Sequence, residues 1–369
     1  MNFMSSEDQI AYRDSVATML AAEVTAESIR ARWDSPKGID EKLIEQLNEL
    51  GLNTMLVPES CGGLGLSEQD FILLAQECGR AALPEPLVDN VLVANAMLAD
   101  VACSDLVSAK QCEDLLSEVA AGKVMLACGH WINPFINMAD IHQWLLLSHG
   151  DEVHLVESSA VELLPQRSAD PSRRIFKVNW QPKAETRIAN GEAGAGLWRR
   201  ALNRGALGVA AQLIGLSESI LHRAVGFTAD REQFGRPVGS NQAVKHLLAD
   251  CAVSLEFAKP VMARAAYAVG SNSSDADCAV SHAKVAASRA AQLCARHGMQ
   301  VHGAMGYTWE CDLHIWMKRC WAIDKTWGDA GFHKNRIHER LLDPSTLMGA
   351  GHTFTSATSK TYNSQEGAA

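Results

Sequence analysis

The sequence predicts a mainly α-helical protein with a small β region at its centre, and three observations carry that reading. Apolar residues recur at intervals of three and four through most of residues 5–123 and again after Gly196. Between Val124 and Gly191 that period gives way to short apolar runs separated by turns. The 369 residues, 47% of them hydrophobic, exceed what one small core needs, so two or three packed domains are expected.

Residues 5–123 read as an N-terminal helical domain broken by loops at 35–38, 58–65 and 84–86. Ser67 followed three residues later by Asp70 forms a capping-box pattern with a short acid, which opens a helix through Ile72, Leu73 and Ala75. Residues 124–191 read as a shortened β domain of four or five strands. The runs 144–147 and 153–156 flank the turn 148–151 as a hairpin, and Ile175, Val178 and Trp180 mark another strand.

Residues 192–344 then read as long helices. Ala206, Val209, Leu213, Leu216, Ile220, Ala224 and Phe227 line one face, and Val244, Leu248, Cys251, Leu255, Ala258, Met262 and Ala265 line a second. An alanine-rich third helix covers 276–301 and a fourth about 330–342. Long helices with short connections predict an antiparallel four-helix bundle. The tail 345–369, rich in Ser, Thr, Gly and Ala, is expected to be disordered.

Thirty-three Lys and Arg against 43 Asp and Glu leave a net charge of -10, the wrong balance for a nucleic-acid partner. No apolar run approaches the roughly 18 residues of a membrane span, and residues 1–14 lack a signal-peptide pattern, so a cytoplasmic protein is expected. Ten cysteines lie scattered from Cys61 to Cys320 without a Cys-x-x-Cys pair and read as reduced core thiols. Thirteen histidines include no His-Glu-x-x-His pattern, so no metal is expected. The Walker and Gly-x-Ser-x-Gly motifs are missing. Gly194-Ala195-Gly196 comes nearest to a dinucleotide fingerprint, but reads as following a polar loop instead of a strand and lacks the third glycine.

Three strings carry a sharper message. The first is Gly51-Leu52, then Val57-Pro58-Glu59-Ser60-Cys61-Gly62-Gly63-Leu64-Gly65-Leu66, with Glu77-Cys78-Gly79-Arg80 beyond; its glycines suit a tight turn of positive φ. The second is residues 230–242, Asp-Arg-Glu-Gln-Phe-Gly-Arg-Pro-Val-Gly-Ser-Asn-Gln. Arg231 near a helix end offers a guanidinium fork to a diphosphate, Phe234 offers an aromatic face beside it, and Gly235 and Pro237 make the reversal. The third is residues 300–310, Gln-Val-His-Gly-Ala-Met-Gly-Tyr-Thr-Trp-Glu. Gly303 lets a backbone approach a ligand, and Gln300 presents an amide to diphosphate or ribose oxygens.

On these strings and its helix–β–helix order, the chain resembles the acyl-CoA dehydrogenases along nearly its whole length. The resemblance implies that family's fold, with an N-terminal helical domain, a reduced β domain and a C-terminal four-helix bundle. It implies FAD as cofactor, its ADP half held across a subunit boundary by Arg231, Gln233, Phe234, Val238 and Asn241, with Gln300, Gly303 and Ala304 completing the contacts. Ala304 stands where the family usually has a second glycine. His302 reads as a packing residue.

The family abstracts an α-proton with a glutamate placed in one of two positions. Aligned by the resemblance, these are Gly328, in Trp327-Gly328-Asp329-Ala330, and Gly205, 26 residues before Arg231. Neither glycine accepts a proton, so no catalytic residue is assigned. Asp329 sits one residue from the loop position and reaches less far, and it reads as a solvated loop acid. The family's flavin-binding Thr-Glu-Pro-x-x-Gly-Ser-Asp string has no counterpart in 124–191, and Ala330 and Phe332 replace a Thr and a Gln that usually touch the flavin. The resemblance thus implies a non-catalytic subunit of a heteromeric enzyme, two copies each of two homologous chains (α2β2). That enzyme would desaturate an acyl-CoA, a bulky steroid side chain by analogy, and pass electrons to an acceptor such as electron-transfer flavoprotein. Two alternatives stand beside it: an active homomeric dehydrogenase using Asp329 or another acid, and a non-enzymatic acyl-CoA-binding or scaffold protein.

Overall fold

The computed structural model describes residues 3, 5–33, 35, 38–344 and 346. The tail expected from residue 345 lies, Thr346 apart, outside the described residues, as do Pro36 and Lys37 of the first loop. The N-terminal region holds α1 (Glu7–Glu23), α2 (Ala26–Trp33), α3 (Glu41–Glu49), α4 (Glu68–Arg80), a π-helix (Val88–Asn95) running into α5 (Ala96–Ala102), and α6 (Ala109–Ala120). Helix α4 opens at the expected place. The Ser67 N–H and hydroxyl both donate to Asp70 Oδ2, at 2.8 and 2.5 Å. In the glycine turn before it, Gly62 and Gly65 both take positive φ.

The β region exceeds the four or five strands expected. The described residues hold seven: β1 (Leu126–Gly129), β2 (Phe135–Asn137), β3 (Trp144–His149), β4 (Glu152–Glu157), β5 (Glu162–Gln166), β6 (Ile175–Asn179) and β7 (Arg187–Ala189). They form a four-stranded sheet ordered β1-β3-β4-β7 and a three-stranded sheet ordered β2-β6-β5. Sequence reading missed strands of three or four residues because so short a run shows no alternation. The β3–β4 hairpin is antiparallel, with Trp144 opposite Glu157 and His149 opposite Glu152. Strand periodicity feeds two cores from one sheet. Leu126, Cys128 and Leu146 join the large core shared with the helices, whereas Ala127, Leu145 and Leu147 join a small core between the sheets with Ile136 and Phe176.

Helix α7 (Gly191–Asp230) follows β7 directly. The Gly194-Ala195-Gly196 triplet therefore does follow a strand, contrary to the sequence reading; β7 is three residues long and too short to be seen as one. Residues 201–211 of α7 are buried on every side, because α4, the π-helix, α8 (Gln242–Gly270) and α9 (Ala276–His302) all pack on it. Between α7 and α8 lies a small hairpin, β8 (Glu232–Gln233) and β9 (Arg236–Pro237). Two further helices follow, α10 (Leu313–Ile323), which the sequence reading left unassigned, and α11 (Ala330–Leu342). Arg319 of α10 is buried, pairs with Asp170 of the β region and donates to the Leu83 carbonyl, which joins all three regions.

Candidate functional site

The second sequence string forms the projecting β8–β9 hairpin at one end of the bundle. Glu232 pairs with Pro237 and Gln233 with Arg236, so Phe234-Gly235 is a two-residue turn. Both turn residues have positive φ, +53° and +74°, as a turn matched to strand twist requires. Glycine accepts this freely, but a bulky side chain there costs on the order of 1 kcal/mol. Phe234 is nevertheless held in that conformation and fully exposed, 101%. Arg231 follows the last turn of α7, its N–H bonded to the Phe227 carbonyl at 2.9 Å. Its exposed guanidinium has no ion pair or hydrogen bond among the described residues. Asn241 is braced: its Nδ2–H donates to the Val238 carbonyl at 3.0 Å and its Oδ1 accepts from Arg236 at 2.7 Å.

The third string meets the second there. Helix α9 ends at His302, and Gly303 leaves it with φ +61°. The His302 ring stacks on Phe227, four residues before Arg231, with centroids 4.2 Å apart and planes at 19°. His302 is buried, hydrogen-bonds the Gly298 carbonyl at 2.7 Å, and has its pKa lowered by burial, so it packs. Gln300, Gly303 and Ala304 are exposed beside it. The structure thus brings both strings to one end of the bundle, with Arg231, Phe234 and Gln300 uncovered.

The two glycines that the resemblance aligns with the family's glutamate positions lie beside Trp327, Gly205 against its ring and Gly328 next to it in the chain. A β-carbon on Gly205 would stand 2.2 to 2.5 Å from the Trp327 indole, and one on Gly328, at φ +93°, would stand 2.5 Å from the Phe332 ring. Trp327 is 0% exposed and its indole N–H donates to Asp89 Oδ1 at 2.6 Å. The His130 ring lies nearly parallel to it, 6.2 Å away, and packs on Trp198 at 4.9 Å. His130 belongs to a tight loop after β1, closed by reciprocal backbone bonds with Asn133. Aromatic rings therefore pack together where the β region meets the bundle.

Polar groups hold that filling in place. Lys284 of α9, 0% exposed, donates to the carbonyls of Asp324 and Gly328 at 2.9 and 2.8 Å, and burial lowers its pKa to about 8. His333 donates Nε2–H to the Trp327 carbonyl at 2.9 Å and accepts from Ser281 at 3.1 Å; burial holds it neutral, its pKa lowered to about 3. Asp329 points to another task. It is the N-cap of α11, accepting the Phe332 N–H at 2.9 Å, and that bond lowers its pKa. The acid beside Trp327 is Asp89, whose pKa burial raises. Sequence reading missed Asp89, His130 and Lys284. A lone lysine within an alanine-rich helical face was the one available signal.

Two family models match the chain: acyl-CoA dehydrogenase N-terminal domain over residues 6–123 and acyl-CoA dehydrogenase C-terminal domain over residues 192–342. The chain is 31% identical to acyl-CoA dehydrogenase IpdE2 of Mycobacterium tuberculosis over 85% of its own length and 91% of that protein's. It is also 31% identical to acyl-CoA dehydrogenase FadE34 of the same organism, over 78% of this chain and 40% of that one. Among solved structures, the ChsE4-ChsE5 complex from Mycobacterium tuberculosis matches with TM-score 0.82 at 21% identity, covering 94% of this chain and 100% of that chain. A variant of the Tcur3481-Tcur3483 steroid ACAD matches with TM-score 0.80 at 23% identity, covering 90% of this chain and 97% of that chain. Both likenesses are of fold. No helix among the described residues is long and apolar enough to cross a membrane.

Proposed function

The chain belongs to the acyl-CoA dehydrogenase family, a family of oxidoreductases, and on that premise we propose that it is the non-catalytic subunit of a heteromeric FAD-dependent acyl-CoA dehydrogenase. One observation carries this reading: Trp327 and Phe332 occupy the space at the two glutamate positions, while the nucleotide-facing end of the bundle stays uncovered. The residues present fit half of the cofactor. Arg231 has no side-chain partner among the described residues, and Phe234 is held outward in a strained turn. Gly303 has positive φ with open space around it. These suit the diphosphate and adenine of an FAD seated in a neighbouring chain. The ring half does not fit, since the family's flavin-binding string has no counterpart here and Trp327 and Phe332 crowd the two glycine positions, with His130 stacked on Trp327.

In this reading Arg231, Gln233, Phe234, Val238, Asn241, Gln300, Gly303 and Ala304 clasp the nucleotide end. The partner chain supplies the ring site, the base and the acyl pocket. The flavin, when bound, supplies the hydride acceptor for α,β-desaturation. The working units are residues 1–123, 124–191 and 192–344, the assembly is α2β2 in the cytoplasm, and electrons leave to an acceptor such as electron-transfer flavoprotein. The two-component complex and the steroid enzyme among the fold neighbours support the pairing and a steroid-type acyl-CoA. Flavin absorbance and mass of the chain purified alone and with a co-expressed homologue test it. Little flavin alone and about one FAD per pair are expected; full flavin occupancy in the lone chain overturns the proposal.

A second reading, an active homomeric dehydrogenase, has Asp89 on its side, a carboxyl raised by burial and set against Trp327. Its signature is turnover by the lone chain that Asp89→Asn abolishes.

A further inference from the structure

Away from both regions described above, the β3–β4 hairpin carries a cluster of metal-ligating side chains: His149, Glu152 and His154, whose donor atoms lie within 4.8 Å of one another. Their convergence follows from the strand register. His149 ends β3 directly opposite Glu152, the first residue of β4. His154 lies two residues further along β4, on the same face as Glu152. Glu152 Oε2 stands 3.2 Å from His149 Nδ1 and 3.1 Å from His154 Nε2. Bonds of about 2.0–2.1 Å at a tetrahedral angle would separate such ligand atoms by roughly 3.3 Å.

The surroundings prepare the ligands. His154 is 1% exposed, with its Nδ1 2.9 Å from Thr186 Oγ1, and that hydroxyl lies 3.0 Å from the Lys183 carbonyl. With the hydroxyl donating to the carbonyl, Thr186 accepts the Nδ1–H and leaves a lone pair on Nε2. That nitrogen faces Glu152 Oε2 at hydrogen-bond distance, and a cation between the two takes the place of the proton that otherwise bridges them. The other carboxylate oxygen, Oε1, accepts from Arg187 at 2.5 Å, which orients the carboxylate and leaves Oε2 for a metal. Trp180 covers the His154 ring edge-on at 5.1 Å, while His149 is mostly exposed, so an ion enters from the His149 side.

We propose that His149, Glu152 and His154 bind a zinc ion, with water in the remaining position. Two imidazole nitrogens and one carboxylate oxygen suit zinc; magnesium and calcium prefer oxygen throughout. The ion clips the β3–β4 hairpin to the segment leading into β7 through Thr186 and Arg187. His-x-x-Glu-x-His is no familiar zinc spacing, and only the hairpin register brings its three residues together, which is why the sequence reading expected no metal.

The test uses the full chain, freed of metal with a chelator and titrated with cobalt(II), then with zinc as competitor. Expected are the visible absorption of protein-bound cobalt at one equivalent, its displacement by zinc, and a zinc-dependent rise in the melting temperature. His149→Gln, at an exposed position that leaves folding intact, is expected to weaken binding about tenfold or more. Thr186→Val, which removes the Nδ1–H acceptor, is expected to weaken it by about 10–100-fold. Absence of cobalt and zinc binding at near-neutral pH, or His149→Gln binding as tightly as the parent, overturns the proposal.

Discussion

The Trp327 indole lies against the α-carbon of Gly205, so that a β-carbon at position 205 would stand 2.2 Å from the ring. Such a distance requires a shift of packed atoms, and the ring is fully buried. Gly205→Ala is therefore expected to cost about 1–3 kcal/mol by overpacking. Trp327→Ala alone is expected to cost about 3–5 kcal/mol by opening a cavity. In the double variant the alanine at 205 no longer meets the ring, so the combined loss is smaller than the sum. Urea denaturation of the four proteins measures the cycle, and strictly additive losses would contradict the contact.

Asp329 caps α11, and its replacement separates structure from chemistry. Asp329→Ala is expected to lower stability by about 1 kcal/mol, while Asp329→Asn, which still accepts the Phe332 N–H, changes it little. Turnover by the assembled enzyme is expected to survive both changes. A loss of turnover with Asp329→Asn at unchanged stability would restore this residue as a base candidate.

Phe234 is fully exposed, and Arg231 is exposed with no ion pair or side-chain hydrogen bond among the described residues. Phe234→Ala and Arg231→Ala are expected to leave the stability of the isolated chain within about 0.5 kcal/mol, yet to lower flavin retention in the co-expressed complex. Arg231→Lys is expected to restore only part of it, because an ammonium lacks the bidentate fork. Equal flavin content in all the complexes would remove this hairpin from the cofactor site.

Three histidines set an acid limit on folding. Burial lowers the pKa of His130 and His142 to about 4 and of His333 to about 3. An unfolded imidazole titrates near ~6.5. Below that value the unfolded chain takes up protons that the native chain refuses, so stability falls as pH drops from about 6.5 towards 4 and, through His333, towards 3. Urea midpoints measured from about pH 7 to 4 should decline, and His142→Gln should make the decline shallower. Midpoints flat across that range would refute the burial argument.

The long elements were legible because their signals are long. Thirteen or more residues of period 3.6 announce α4, α7, α8 and α9, and the Ser67 and Asp70 side chains announce where α4 begins. The short strands β1, β2 and β7 carried no such signal, and the eleven residues of α10 were left unassigned between the third and fourth helices. The hairpin residues were readable as one string, since Arg231 to Asn241 lie within eleven consecutive positions. The packing around Trp327 was not. Gly205, Trp327, His130 and Asp89 come from four separate segments, and only the fold shows that the first two positions are a single place.

The shared place of Gly205 and Trp327 ties the two residues to each other. A larger side chain at 205 fits only once the indole is gone, and removing the indole first leaves a void. Either order passes through a less stable intermediate, so this pair is expected to change together or not at all.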